Sequence, residues 1–159
     1  MKTLTFEPIH ETMQVATDTS ILQALLARQL DIPMACGGKG MCATCHVFIS
    51  KGMQKLTPPT QREMRTLAII SGVDSEKSRL ACQCRVLGEG VVVQLPEGTY
   101  VERVEDLFDL VGSRAEKNIL HPINGMVLIA KNKLITRSRL EELKRLNVEV
   151  QAVKDAVAD

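Results

Sequence analysis

Aromatic residues are scarce: Trp is absent from the 159 residues, and Phe6, Phe48, Phe108 and Tyr100 are the whole set of Phe and Tyr. Without clustered ring faces there is no stacking platform for single-stranded nucleic acid. Charge of one sign is also lacking, since 20 Lys and Arg against 19 Asp and Glu leave a net +1. No basic block occurs, which argues against phosphate-backbone binding. No apolar run approaches the roughly 20 residues that span a bilayer. The start, Met1-Lys2-Thr3-Leu4-Thr5-Phe6, enters an alternating strand pattern at once, without the charged and then apolar run of an export signal. A soluble cytoplasmic protein is therefore expected, with neither nucleic acid nor membrane among its partners. A dinucleotide-binding glycine fingerprint is missing too. With no room for a nicotinamide or flavin domain, an enzyme acting on an organic substrate is not expected.

Cysteine is the residue the chain does have. Five Cys is an odd number, and with no export signal this argues against a disulfide framework and for metal ligation. The stretch Cys36-Gly37-Gly38-Lys39-Gly40-Met41-Cys42-Ala43-Thr44-Cys45 places three thiols within ten residues, at C-x5-C-x2-C spacing. A fourth, Cys82, sits far downstream in Arg79-Leu80-Ala81-Cys82-Gln83-Cys84. Three ligands in one loop plus a distant fourth is the arrangement of plant-type [2Fe–2S] proteins, whose first spacing is one residue shorter. Cys36, Cys42, Cys45 and Cys82 are read as the ligands of one [2Fe–2S] cluster per chain. Such a cluster is anionic, so a loop of inward-pointing amides suits it. Gly37, Gly38 and Gly40 reach the backbone angles this needs without steric penalty. Zinc competes for the same thiols, but structural zinc sites pair short Cys-x-x-Cys knuckles, and only Cys42 and Cys45 have that spacing. A [4Fe–4S] site asks for a C-x2-C-x2-C run, which is not present.

The longer first gap, with His46 directly after the third Cys, carries a resemblance. CGGKGMCATCHVFI followed by SRLACQC resembles the adrenodoxin-type [2Fe–2S] ferredoxins, over roughly residues 1–97. The resemblance implies a β-grasp fold and a cofactor-binding loop that includes Gly37, Gly38, Gly40, Met41, Ala43, Thr44 and His46. It implies that Cys36 and Cys42 hold the iron nearer the surface, and Cys45 and Cys82 the inner one. It also implies that His46 ties the loop to the rest of the fold by hydrogen bonding instead of ligating iron.

Along the chain, Lys2–Phe6 and His10–Ala16 read as strands turned at Glu7-Pro8. Ser20 to Gln23 reads as a capping box opening a helix to about Gln29, with Ile21, Leu22, Leu25 and Leu26 inward. His46–Ser50 reads as a strand. Thr60 to Glu63 reads as a second capping box, its helix placing Met64, Leu67 and Ala68 on one side. Leu80–Val86 and Val91–Leu95 read as strands. Within the first of these, Cys84 would face the same side as Cys82, although a small buried hydrophobe is the plainer role for it. Pattern alone gives an α+β fold. The resemblance sharpens this to a β-grasp ferredoxin-like domain, a mixed sheet packed on one main helix, over residues 1–99.

Residues 100–159 form a small α/β extension outside the resemblance. A helix over Val101–Val111, strands Met126–Ala130 and Lys133–Thr136 about a Lys131-Asn132 turn, and a helix opened by Ser138 to Glu141 are expected. Asn147 reads as the cap ending that last helix, and Val148–Val150 as a further strand. About sixty residues is marginal for an independent core, so this part is expected to pack on the ferredoxin part or to form a homodimer through residues 100–159.

The expected activity is one-electron carriage between a ferredoxin reductase and electron-acceptor proteins. The alternative is a redox-responsive regulator whose cluster state controls the extension or oligomerisation. Adrenodoxin-type proteins serving steroid hydroxylases carry an acidic helix before the fourth Cys. Gln61 to Thr66 is not acidic here, which argues against a cytochrome P450 or adrenodoxin reductase as partner.

Overall fold

The structure is a computed structural model that describes residues 1–28, 40, 42–96, 98–101 and 103–157. Its first part is a five-stranded mixed sheet in the order β2-β1-β5-β3-β4. The strands are β1 (Lys2–Glu7), β2 (Glu11–Val15), β3 (His46–Lys51), β4 (Ser78–Leu80) and β5 (Val91–Gln94). β1 pairs antiparallel with β2 and parallel with β5, while β3 lies antiparallel to both β5 and β4. Alternation along β1 buries Leu4 and Phe6 completely, the one-sided burial expected of a strand covered on one face. Helix α1 (Ile21–Ala27) covers that face, and its Ile21, Leu22, Ala24 and Leu25 share one apolar cluster with Leu4, Phe6, Val47, Ile49, Val91 and Val93. The expected β-grasp layout, a mixed sheet on a main helix, is what forms.

The Ser20 capping box is present in full: Gln23 N donates to Ser20 Oγ at 3.1 Å, and Ser20 N donates to Gln23 Oε1 at 3.0 Å. Helix α1 ends earlier than expected, and Leu26 is on its exposed side while Ala24 takes an inward place. Helix α2 (Gln61–Leu67) begins as expected, with Thr60 Oγ1 accepting from Glu63 N. The reciprocal half of that box does not form, because the Glu63 carboxylate turns inward. Glu63 and Thr66 are the buried residues of α2, whereas Met64 is exposed. The strand expected over Leu80–Val86 breaks after Leu80 into a turn, leaving Arg85 and Val86 only as isolated bridge residues.

The rest of the chain builds a second sheet of three strands, β6 (Thr99–Tyr100), β7 (Ile119–Leu120) and β8 (Val127–Ile129), in that order. Helices α3 (Arg137–Leu143) and α4 (Arg145–Val157) follow. Five expectations are corrected in this part. Val101–Val111 contains a 3-10 helix over Val104–Leu110, which buries Val104 and Leu107 but leaves Val111 exposed. β8 pairs with β7, not with Lys133–Thr136, which instead bridges Arg114 through Leu134 and exchanges backbone hydrogen bonds with Gly112, Ser113 and Ala115. The cap of α3 is Thr136, whose hydroxyl accepts from Arg139 N at 3.1 Å; Ser138 lies inside the helix.

Finally, Asn147 and Val148–Val150 lie within α4. Leu146, Val150 and Val153 recur at helical spacing in the second apolar cluster. Asn147 caps a different element: its Oδ1 accepts from Val104 N at 3.0 Å, at the start of the 3-10 helix. Among the described residues, no helix is long and apolar enough to cross a membrane.

Candidate metal centre

Two backbone segments carry the described thiols, and they are knitted to each other. Gly40 has φ +74°, in the left-handed region, and a Cβ built there would lie 2.9 Å from the Gln83 side chain. Glycine at this position lets the turn holding Cys82 close onto the loop. The Gly40 carbonyl accepts a hydrogen bond from Thr66 Oγ1 of α2. Cys42 is extended and enters a short 3-10 turn, Ala43–Cys45, with its Sγ 2.9 Å from Thr44 Oγ1. From the other segment, Ala81 N donates to the Cys45 carbonyl at 2.7 Å. Gln83 N then closes the turn on the Leu80 carbonyl at 3.0 Å, and Gln83 Nε2 reaches Cys82 Sγ at 3.6 Å.

A polar brace beneath this turn fixes its approach. Glu63 is fully buried and accepts from Arg79 Nε at 2.6 Å, Arg79 Nη2 at 3.1 Å and Leu80 N at 3.0 Å. α2 thereby grips β4 just before Cys82, with a paired charge in place of a bare one. His46, in β3, meets Ser78 Oγ of β4 at 2.8 Å through Nε2. Burial lowers the His46 pKa to about 4, so the ring is neutral at pH 7. Its hydrogen bond to Ser78 ties the start of β3 to β4.

Cys42 and Cys45 are buried, and Cys82 is half-buried. Gly40, Ala43 and Thr44 sit on the segment of Cys42 and Cys45, His46 opens β3, and Cys36, Gly37, Gly38 and Met41 lie outside the described residues. Cys84 is not on a strand shared with Cys82. It is fully buried in the first apolar cluster, where burial pushes its thiol up to about 12. That is an inert core residue. Among the described residues, no three His, Cys, Asp or Glu side chains gather as a single ion requires. A [2Fe–2S] core asks for something different, two thiolates on each of two irons. Thiolate-forming donors on two interlocked segments fit that group.

No pattern in the sequence signals what lies on the Cys42 side. Cys42 is 1% exposed and belongs to the apolar cluster of the second part, with Val101, Val104, Ile119 and Leu140. Tyr100 packs against the group of Ala43, Ile70 and Leu80, as does Cys82. Burial raises the Tyr100 pKa above the ordinary phenol range, and the nearby Cys42 and Cys45 sulfurs add to the effect. The carbonyl of Pro122 accepts from Ala43 N at 2.9 Å, and that of Asn124 accepts from Ser71 N at 2.7 Å. Cys42 therefore faces the second part of the chain instead of solvent.

A β-grasp sheet with a glycine loop and a returning cysteine turn defines the class of [2Fe–2S] ferredoxins. The comparisons agree. A family described as "2Fe-2S iron-sulfur cluster binding domain" matches residues 4–87. The 2Fe-2S ferredoxin-5 of Aquifex aeolicus is 41% identical over 78 residues, covering 48% of this chain and 80% of that protein. Putidaredoxin of Pseudomonas putida is 34% identical over 89 residues, covering 54% of this chain and 83% of that protein. Among solved structures, an ISC-like [2Fe-2S] ferredoxin from Pseudomonas putida superposes with TM-score 0.56 at 30% identity, covering 60% of this chain and 93% of that one. The chain belongs to the [2Fe–2S] ferredoxin family, of the adrenodoxin and putidaredoxin type, and its cofactor is one [2Fe–2S] cluster.

Proposed function

We propose that this ferredoxin carries single electrons from a ferredoxin reductase to acceptor proteins of the cytoplasm, with Cys36, Cys42, Cys45 and Cys82 as the cluster ligands. When bound, the cluster supplies reversible one-electron chemistry, at a low potential because all its ligands are thiolates. The chain's own contribution is to hold and insulate it. Gly37, Gly38, Gly40, Met41, Ala43 and Thr44 form the loop around it, and His46 braces that loop through Ser78. Residues 1–99 act as the ferredoxin unit and 100–159 as an extension.

The observation that carries this reading is the interlock of the two cysteine segments, seen in Gly40 against Gln83 and in Ala81 N on the Cys45 carbonyl. It supports the reading by holding the segment of Cys42 and Cys45 against the turn of Cys82. Net charge supports partner recognition without strong long-range steering: through residue 99, five Lys and five Arg oppose nine acids. Association should then depend only weakly on salt.

The test is a reconstituted chain in which an NAD(P)H-dependent flavoprotein reductase is linked to cytochrome c through this protein. Cytochrome c reduction that rises in proportion to added holoprotein is expected, with no rise for the cluster-free form. Equal rates for the two forms would refute carriage. The regulatory alternative draws on the contact of the two parts at Ala43 and Pro122. It would be favoured by a change in oligomeric state on reduction.

A further inference from the structure

The turn after β7 does something that the ferredoxin fold does not require. His121 is nearly buried, and its two ring nitrogens are both engaged. Nδ1 accepts from Ile123 N at 3.1 Å, and Nε2 lies 2.7 Å from Glu149 Oε2 of α4. The acceptor role of Nδ1 places the proton of the neutral ring on Nε2, directed at the carboxylate. One end of this link fixes the turn, and the other anchors it to the helix at the far side of the second part. Gly125 N donates back to the His121 carbonyl at 2.8 Å, closing the turn.

The carbonyls that this turn presents face the cysteine loop. Pro122 O takes the Ala43 N–H, and Asn124 O takes the Ser71 N–H at the end of the α2 segment. Gly125 sits at φ +71°, where a Cβ would touch Ile70 Cγ2 at 3.4 Å and Ala43 Cβ at 3.7 Å. The turn thus lies in van der Waals contact with the loop, and its positive φ strains any side chain placed at 125. Meanwhile Cys42 is sealed among apolar residues of the second part.

We propose that the His121–Gly125 turn is a built-in cover over the Cys42 side of the cluster, with His121 as the residue that positions it. This rests on the assignment of Cys42 as a ligand. The cover has two physical effects of the same sign. It excludes water, and it engages the Ala43 N–H that would otherwise be free to donate to a sulfur. Reduction adds negative charge, which water and N–H donors stabilise. Both effects therefore lower the reduction potential. The cover also slows access of solutes to the metal.

The experiment uses the full-length holoprotein with His121→Leu, which removes both ring contacts, and Gly125→Leu, which wedges the turn off Ala43 and Ile70. His121→Asn is the conservative variant, since an Asn side-chain oxygen accepts from the N–H two residues on. Val148→Ala, at an exposed position 71% accessible, is the control. Iron release to a bathophenanthroline chelator, the midpoint potential and hydrogen exchange of the peptide containing Ala43 are read together.

The expected result is at least tenfold faster iron release in the two Leu variants. Their reduced-to-oxidised ratio at a fixed potential should rise about tenfold, equivalent to about 59 mV for one electron. His121→Asn should stay near the parent. The proposal is overturned if the exchange data show the turn released while iron release and potential remain at parent values. It is overturned as well if slow exchange at Ala43 is absent from the parent protein, a reading that needs no variant to fold. A parent protein that binds no iron would instead defeat the ligand assignment, and the cover with it.

Discussion

Glu63 offers the sharpest quantitative prediction, because its carboxylate is fully buried and receives three N–H donors at 2.6, 3.1 and 3.0 Å. Glu63→Ala leaves the Arg79 guanidinium, whose side chain is 3% exposed, without its counter-charge, and it orphans the Leu80 N–H. Breaking one side of a buried pair in this way costs about 3–5 kcal/mol, of which the unsatisfied Leu80 amide accounts for about 1–3 kcal/mol. In a chain of this size each kcal/mol moves the melting temperature by about 2–4 °C, so a fall of about 6–20 °C is expected. Replacing both partners with apolar residues, Glu63→Leu with Arg79→Met, removes the charge and its desolvation together. The double variant should therefore be more stable than either single one. The assay is anaerobic denaturant unfolding of the holoprotein, followed by far-ultraviolet circular dichroism and by the visible cluster band. Because Glu63 holds the amide two residues before Cys82, the visible band should be lost at lower denaturant in the single variants. Two single variants each within 1 kcal/mol of the parent, with strictly additive effects in the double, would refute the brace.

Other outcomes follow from particular contacts. Gly40→Ala forces a side chain into φ +74° and against Gln83, so it should cost about 1–3 kcal/mol and lower cluster occupancy on expression, checked by visible absorbance per chain. Cys84→Ala should keep full iron content while losing about 1–2 kcal/mol of stability from the small cavity, measured by unfolding. In the folded holoprotein Cys84 should also resist alkylation by iodoacetamide, checked by mass spectrometry, since burial raises its pKa to about 12. Asn147→Ala should cost about 1 kcal/mol by removing the cap at Val104 N, with the visible spectrum unchanged.

Much of the ferredoxin part is legible because its signals are local. The Ser20 box, the alternation that buries Leu4 and Phe6, and the apolar face of α1 are each set within a few residues. The errors come where a tertiary partner outbids a local one. Glu63 is an apt N-terminal helix residue by local rules, yet Arg79, sixteen residues away, claims its carboxylate. Asn147 looks like a helix end, but Val104, forty-three residues back, uses its oxygen. Met126–Ala130 reads by pattern as half of a hairpin with Lys133–Thr136, yet the strand that pairs with it is the two-residue β7, too short to show a period. The cysteine spacing revealed the metal chemistry because ligands in one loop must be close in sequence. The cover over Cys42 left no trace, since it depends on a carbonyl of Pro122, and backbone acceptors carry no sequence signature.

The central claim is that four particular sulfurs hold one cluster while the fifth does not. It is tested most directly by iron and acid-labile sulfide analysis of the anaerobically reconstituted chain and its single Cys→Ala variants, with electron paramagnetic resonance after one-electron reduction. The account predicts two irons and two sulfides per chain and a reduced-state signal in the parent and in Cys84→Ala, with loss or severe loss for Cys36, Cys42, Cys45 and Cys82. Colourless parent protein, or a cluster that survives removal of one of those four yet vanishes with Cys84, would contradict it.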